Sequence, residues 1–466
     1  MVAVGGRTQS RGLRFWTAVV GVAAVLGACS SAPMPTSGAA ASPGTGPVAS
    51  ASSGPSSLPS ATVQPSPTPT LVPTPPPGPL VIKWHRQTGP TTSTADGWDL
   101  MVHARVLDAH GTAILNVDTQ GSGPQVWISA DGLHWGAAAV PDLRTTAPSD
   151  DDLSLRSIAV GGPGLVAVGE FDDTLDDTST SVVWTSVDGR AWNLLNDPSL
   201  ARGIGLQWVG SAGGSLIAFG AEMDGGAYKP QDWTSTDGLH WQVGSSTSAA
   251  QVADGLIDLE SVDGVLTAFV GPATDTNDNF IDGKNIEVWR ATDVGSWQQV
   301  ATLPASTSPV LDVAHGPLGW IATGNGATTS LTWLSADGET WRAAGGPPPV
   351  GPEGGLVVDS AGFIAVGFRN TALGCVSEDK DNIGETWTSS DGQLWRQMPE
   401  EAQFKGASIL TGFVRDRTLI GLGLDWNVKP APGVVWTAPL AAASSAAGPT
   451  PTPAPSKQPG TVGCGD

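Results

Sequence analysis

Seven tryptophans recur along this chain at near-even spacing, and six of them are followed eight residues later by a second. The leading set is Trp127, Trp184, Trp233, Trp289, Trp333, Trp387 and Trp436, at intervals of 57, 49, 56, 44, 54 and 49 residues. The following set is Trp135, Trp192, Trp241, Trp297, Trp341 and Trp395. Most pairs bracket one turn, as in Val183-Trp-Thr-Ser-Val-Asp-Gly189 and Thr332-Trp-Leu-Ser-Ala-Asp-Gly338. A repeat of this period constrains the fold more than any composition, because each unit must bury its apolar face against its neighbours.

Each hairpin is preceded by short apolar runs of strand length, such as those from Leu165, Leu216, Leu266, Trp320, Phe363 and Leu419. Another run comes before each of these, as from Leu155, Val310 and Leu356. Turn residues bound them all, and no helical stripe is read beyond the N-terminal segment. Four strands in about 50 residues describe a propeller blade. The roughly 360 residues of the repeat region exceed what one core usually serves. Trp436 has no follower, and Trp84 has no leader. Pairing them predicts an all-β, seven-bladed β-propeller, its ring closed by the N-terminal strand on the C-terminal strands. Six and eight blades are the alternative counts.

A three-residue loop such as Ala130 to Gly132 would put Gly in the left-handed region and set Trp127 directly opposite Trp135. A two-residue Asp-Gly loop is the competing register. Blade 4 departs, since Thr292-Asp293-Val294-Gly295 carries its Gly one place late.

The ends differ from the repeats. Arg7, Arg11 and Arg14 precede an apolar stretch, Phe15 to Ala28, that is short for a membrane span. It runs into Leu26-Gly27-Ala28-Cys29, which resembles a bacterial lipobox. That resemblance implies a signal peptide over 1–28 and lipid attachment at Cys29. An ordinary secretory signal or an uncleaved anchor are the other readings. Residues 29–79 are rich in Pro, Ser and Thr and read as a stalk. The repeat region is bounded at 80–440, and a Pro-rich tail follows over 441–466. With Cys29 assigned to lipid, Cys375 and Cys464 remain as a disulfide that pins the tail, or as two free thiols. The export signal places the protein on the outer face of the bacterial cell membrane. A net charge of −22 leaves no basic stripe for phosphates, so nucleic acid is excluded as a partner.

The turns resemble Asp-boxes, the Ser-x-Asp-x-Gly-x-x-Trp hairpins of sialidase-type propellers, one residue shorter between Asp and Trp. The resemblance implies a structural role for Asp131, Asp188, Asp237, Asp293, Asp337 and Asp391 and none in catalysis. Sialidase chemistry in that family uses a Tyr paired with Glu, three Arg and an Asp. This chain holds one Tyr, Tyr228, with Glu222 nearby, and lacks the family's Arg-Ile-Pro signature. Arg105, Arg156, Arg202, Arg369, Arg415 and Arg417 are the arginines placed to approach the centre. No metalloprotease, nucleophile-elbow or phosphate-loop motif is present, and the six His lack ligand spacing. No catalytic residue is assigned, and the enzyme question leans to no.

Binding on a propeller belongs to irregular loops on a rigid frame. The expected B–C loops are Asp172 to Thr180, Ala221 to Gln231, Pro272 to Asn285 and Asn370 to Gly384. The candidate binding face is Asp172, Asp173, Asp176, Asp177, Tyr228, Arg369, Glu378 and Asp379. Asp275, Asn277, Asn279 and Asp282 alternate oxygen ligands as a calcium loop does, without the usual Gly. No cofactor is required, and calcium is the candidate ion. The expected function is a lipid-anchored, monomeric binding or scaffold module for an extracellular protein, glycan or cation. The alternatives are a sialidase-like glycoside hydrolase and a propeller similar to the assembly factors related to those that help build photosystem II.

Overall fold

The computed structural model describes residues 80, 82–88, 105–109, 112–117, 125–141, 152–173, 178–200, 203–224, 227–271, 285–304, 306, 310–325, 330–344, 354–370, 381–428 and 431–440. They form seven four-stranded antiparallel sheets. Blade 1 is Arg105–Ala109, Thr112–Val117, Gln125–Ser129 and Gly136–Ala137, taken as strands A to D. Blade 2 is Asp152–Gly161, Gly164–Asp173, Thr178–Ser186 and Asn193–Leu194, and blade 3 is Gly203–Ala212, Ser215–Asp224, Ala227–Ser235 and Gln242–Val243. Blade 4 is Leu256–Val262, Val265–Val270, Glu287–Ala291 and Gln298–Thr302, and blade 5 is Val310–Gly316, Gly319–Asn325, Ser330–Ser335 and Trp341–Ala343. Blade 6 is Gly355–Asp359, Gly362–Asn370, Asn382–Ser389 and Arg396–Gln397. Blade 7 takes Ala407–Arg415, Thr418–Asp425 and Gly433–Pro439 from the C-terminal side and His85–Thr88 from the N-terminal side. Each A strand meets the A strand of the next blade, and the seventh meets the first, so the protein is a closed seven-bladed β-propeller.

The closing strand keeps the register of the others. Arg86 lies opposite Trp436, as Ala137 lies opposite Trp127 and Leu194 opposite Trp184. In each case the leading Trp faces the residue two places after the following Trp. The expected direct Trp–Trp pairing is therefore corrected: Ser335, not Trp333, stands opposite Trp341. The turn is five residues long because side chains build it. The hydroxyls of Ser129, Ser186, Ser235, Ser335 and Ser389 accept the N–H of the turn glycine at 2.7–2.9 Å. Those glycines sit at φ of +70 to +79°, where a side chain would be strained. The indole N–H of Trp135, Trp192, Trp241 and Trp341 then folds back onto the glycine carbonyl at 3.0–3.3 Å. Because the shift is two residues, both Trp stay on one face of the sheet.

The tryptophans fasten blades together. The indoles of Trp184, Trp233 and Trp333 donate to Pro141, Ser199 and Pro304, carbonyls on the connection that arrives from the preceding blade. That connection also accepts the backbone N–H of the following Trp, through Ala139 for Trp192 and Asp197 for Trp241. The core accordingly lies between blades, with one apolar cluster in each of the seven seams.

Two expectations change. A short helix, Thr247–Ala253, capped by Ser246, joins blade 3 to blade 4 where none was read. Ala249, Val252 and Ala253 face the seam, and seven residues are too few to show a helical stripe. The B–C segments of blades 2 and 3 are mostly strand, with ladders reaching Asp173–Thr178 and Asp224–Ala227. Their polar composition hid the pairing.

Candidate functional site

The A–B and C–D turns share one face of the ring, here the turn face, and the B–C hairpins share the other. Both ends of the repeat region leave at the turn face. Leu440 donates its N–H to Arg417 at 2.7 Å, and the Arg417 guanidinium returns a bond to the Leu440 carbonyl at 2.8 Å. Arg417 belongs to the A–B turn of blade 7. The incoming segment starts its strand at that same end, with Leu80, Ile82 and Trp84 buried in the seam between blades 6 and 7. The hairpin face is the face remote from both ends.

On that side, at the seam of blades 2 and 3, Glu170 is 2% exposed. Arg156 donates to it through Nε at 3.0 Å and through Nη2, and Gln207 of the next blade donates at 3.2 Å. Both donors sit at β-bulges in their A strands, which turn them toward the carboxylate. Gly205, at φ +58°, leaves room, since a Cβ there would lie 2.6 Å from the Glu170 carboxylate.

A narrow cleft, with about 20 Å³ of room, lies at the outer side of the seam between blades 6 and 7. Apolar walls come from Trp84, Ile383, Met398, Pro399 and Phe404. Arg369 bridges two acids here, Glu385 through Nε and Glu400 through Nη2 at 3.1 Å. Glu385 also accepts from Gln397 at 3.0 Å and from the indole of Trp387 at 3.4 Å. Burial pushes its carboxyl up, against the pull of these donors. That room holds about one water, which the polar atoms of Arg369, Glu385 and Glu400 could bind.

Of the sequence candidates, Arg369 lies in this cleft. Asp172 and Asp173 end strand B of blade 2, and Tyr228 stands opposite Met223 in the blade 3 hairpin. Asp176, Asp177, Asp275, Asn277, Asn279, Asp282, Glu378, Asp379, Cys29, Cys375, Cys464 and Arg202 lie outside the described residues. Arg105 is on strand A of blade 1. Arg415 crosses the turn face to the Ala130 carbonyl of blade 1 at 3.0 Å. Arg156 lies at the seam of blades 2 and 3, Arg369 at that of blades 6 and 7, and Arg415 and Arg417 at the blade 7 A–B turn, so these four form no common carboxylate grip. Asp131, Asp237, Asp337 and Asp391 each accept two backbone N–H bonds within their own turn, and Asp188 accepts that of Arg190. Asp293 takes the N–H of Gly295 in a turn without a left-handed glycine. Sequence reading missed Glu385, Glu400 and Gln397. Glu385 sits two places before Trp387, immediately after the loop read over Asn370 to Gly384, and that position was the available signal.

No protein-family model matches the chain, and no curated protein matches it. Solved structures similar to it are propellers. A Trypanosoma rangeli sialidase in complex with 2,3-difluorosialic acid is 10% identical with a TM-score of 0.40, over 76% of this chain and 59% of that one. YCF48 bound to D1 peptide is 13% identical with a TM-score of 0.39, over 76% and 99%. A Bombyx mori GH32 β-fructofuranosidase with sucrose is 12% identical with a TM-score of 0.34, over 76% and 92%. The chain thus spans about 59% of the sialidase it matches.

Proposed function

We propose that this protein is a lipid-anchored binding module of the bacterial cell surface, presenting its hairpin face to an extracellular protein, glycan or cation. The carrying observation is that the described repeat region begins and stops on the turn face. A tether through Cys29 and the 29–79 stalk then reaches that face and leaves the hairpin face open. The arginines support binding over hydrolysis, because Arg156 and Arg369 are held in ion pairs with Glu170, Glu385 and Glu400. The Ser–Asp–Gly bonding scheme of the hairpins supports their reading as shortened Asp-boxes, with structural aspartates.

The test uses the full-length protein in detergent, with calcium and with chelator, against a glycan and peptide array and a fluorogenic glycoside panel that includes sialosides. Saturable binding without turnover is the expected result. Turnover that disappears in Tyr228→Phe overturns the binding reading. Release of Cys29→Ala into the medium is expected from the anchor, and retention on cells would remove it.

A further inference from the structure

The residue before each leading Trp is Val126, Val183, Val288, Thr332, Thr386 or Val435, except in blade 3, where it is Asp232. Asp232 is 2% exposed, and its Oδ2 has no hydrogen-bond partner among the described residues. The carboxylate lies against the bare Cα of Gly244, where a Cβ would fall 1.7 Å from Oδ2. Its other oxygen has a long 3.5 Å approach from Gln231.

A buried donor without a partner lies in the same seam. Trp297 is the following Trp of blade 4, whose turn offers no left-handed glycine carbonyl, and its indole N–H has no partner. Phe219 links the two groups: it stands opposite Asp232 across the strands and meets the Trp297 ring at 5.8 Å between centroids. The arrangement has a counterpart at the seam of blades 6 and 7. There Trp84, the other following Trp without an Asp-Gly turn, donates its indole N–H to Thr386, the residue matching Asp232, at 3.0 Å.

The helix Thr247–Ala253 packs on the strand that carries Asp232. Ser246 donates to the Gly295 carbonyl at 3.0 Å, and Ser248 accepts the backbone N–H of Trp297 at 3.4 Å, so the helix ties that strand to the blade 4 turn. The helix itself has no charged residue. The charged and titratable residues of the adjoining elements are Glu222, Asp224, Lys229, Asp237 and His240 in blade 3, Asp254 after the helix, and Asp258, Glu260, Asp263, Glu287, Arg290 and Asp293 in blade 4. Burial pushes the Asp232 carboxyl up, against a single opposing contact from its own backbone N–H.

We propose that the seam between blades 3 and 4 is a proton-operated joint, closed while Asp232 is neutral and loosened when it ionises, with the Trp297 indole as the donor the seam offers to the carboxylate. An unpaired charge in the interior is costly, so ionisation must move a donor or admit water. The helix and the blade 4 turn are the parts free to give.

The test is amide hydrogen exchange on the full-length protein at pH 5 and pH 8, corrected for the pH dependence of intrinsic exchange. In the wild type, protection of residues 247–253 and 292–297 is expected to fall at least tenfold from pH 5 to pH 8, with the remaining seams unchanged. Asp232→Asn and Asp232→Thr, the latter borrowed from the Thr386 position, should be equally protected at both values. A wild type without the change, or variants that keep it, overturns the proposal. Trp297→Phe should enlarge the wild-type change, and an unaltered response would remove Trp297 from the joint.

Discussion

Trp84 donates its indole N–H to Thr386 at 3.0 Å, joining the N-terminal segment of blade 7 to blade 6 across 302 residues of sequence. The ring is closed by this short segment, so its stability concentrates on few groups. Trp84 is 3% exposed and meets Phe404 edge-on at 6.1 Å. Trp84→Ala should cost about 3–5 kcal/mol, the range for truncating a buried aromatic, read by thermal unfolding. Removing 80–88 should also bare the edge of Gly433–Pro439 and cause self-association, measured by light scattering.

At the cleft, the two partners of one ion pair should respond unequally. Glu385 is buried and Arg369 is half-exposed. Arg369→Ala strands a buried carboxylate and should cost about 1–3 kcal/mol, reduced from a fully buried pair by the exposure of the guanidinium. Glu385→Gln leaves no charge unpaired and should cost less. Glu400→Gln, at the exposed end, should stay within about 1 kcal/mol. Chemical denaturation of the three variants orders them, and an Arg369 variant no weaker than Glu400→Gln would contradict the geometry.

Acid stability should follow the turns. The backbone N–H groups of Thr340 and Glu339 hold Asp337 down to about 2. A hydrogen bond from His240 and two backbone N–H bonds hold Asp237 below the usual carboxylate range. These groups bind protons less readily folded than unfolded, so their stabilisation is complete above about pH 4. It is lost as the pH falls toward 2. Asp337→Ala should lower the melting temperature at pH 7 and flatten the acid limb; parallel limbs in both proteins would refute this origin.

Asp232 works in the opposite sense. Burial pushes it up to about 6. Folding therefore favours its protonated form, a contribution present at low pH and lost as the pH rises through 6. The shift from an ordinary Asp corresponds to at most about 3 kcal/mol. Asp232→Asn should accordingly be more stable than wild type at pH 8, with an advantage that shrinks below pH 6 and is gone below about pH 4. The turn aspartates lose their contribution below about pH 4 and Asp232 loses its own between about pH 4 and 6, so the wild type should be most stable near pH 4. A calorimetric optimum above pH 7 would contradict this assignment.

The periodic Trp, the Ser-x-Asp-Gly turns and the solitary Trp84 were enough to read a seven-bladed ring and its closure, because these are local signals repeated many times. Sequence also located the left-handed glycines, whose φ follows from the turn chemistry. Hairpin register was decided by structure: a serine hydroxyl and a folded-back indole lengthened the loop by two residues, an energy balance no spacing records. The same holds for the cleft and the acid joint. Glu385 meets Arg369 only because strands B and C of blade 6 pair, and Trp297 comes near Phe219 only because blade 4 packs on blade 3. The chain alone determines the repeat, since each unit carries its own turn. Which residues meet across the seams depends on how the units stack, and that belongs to the tertiary structure.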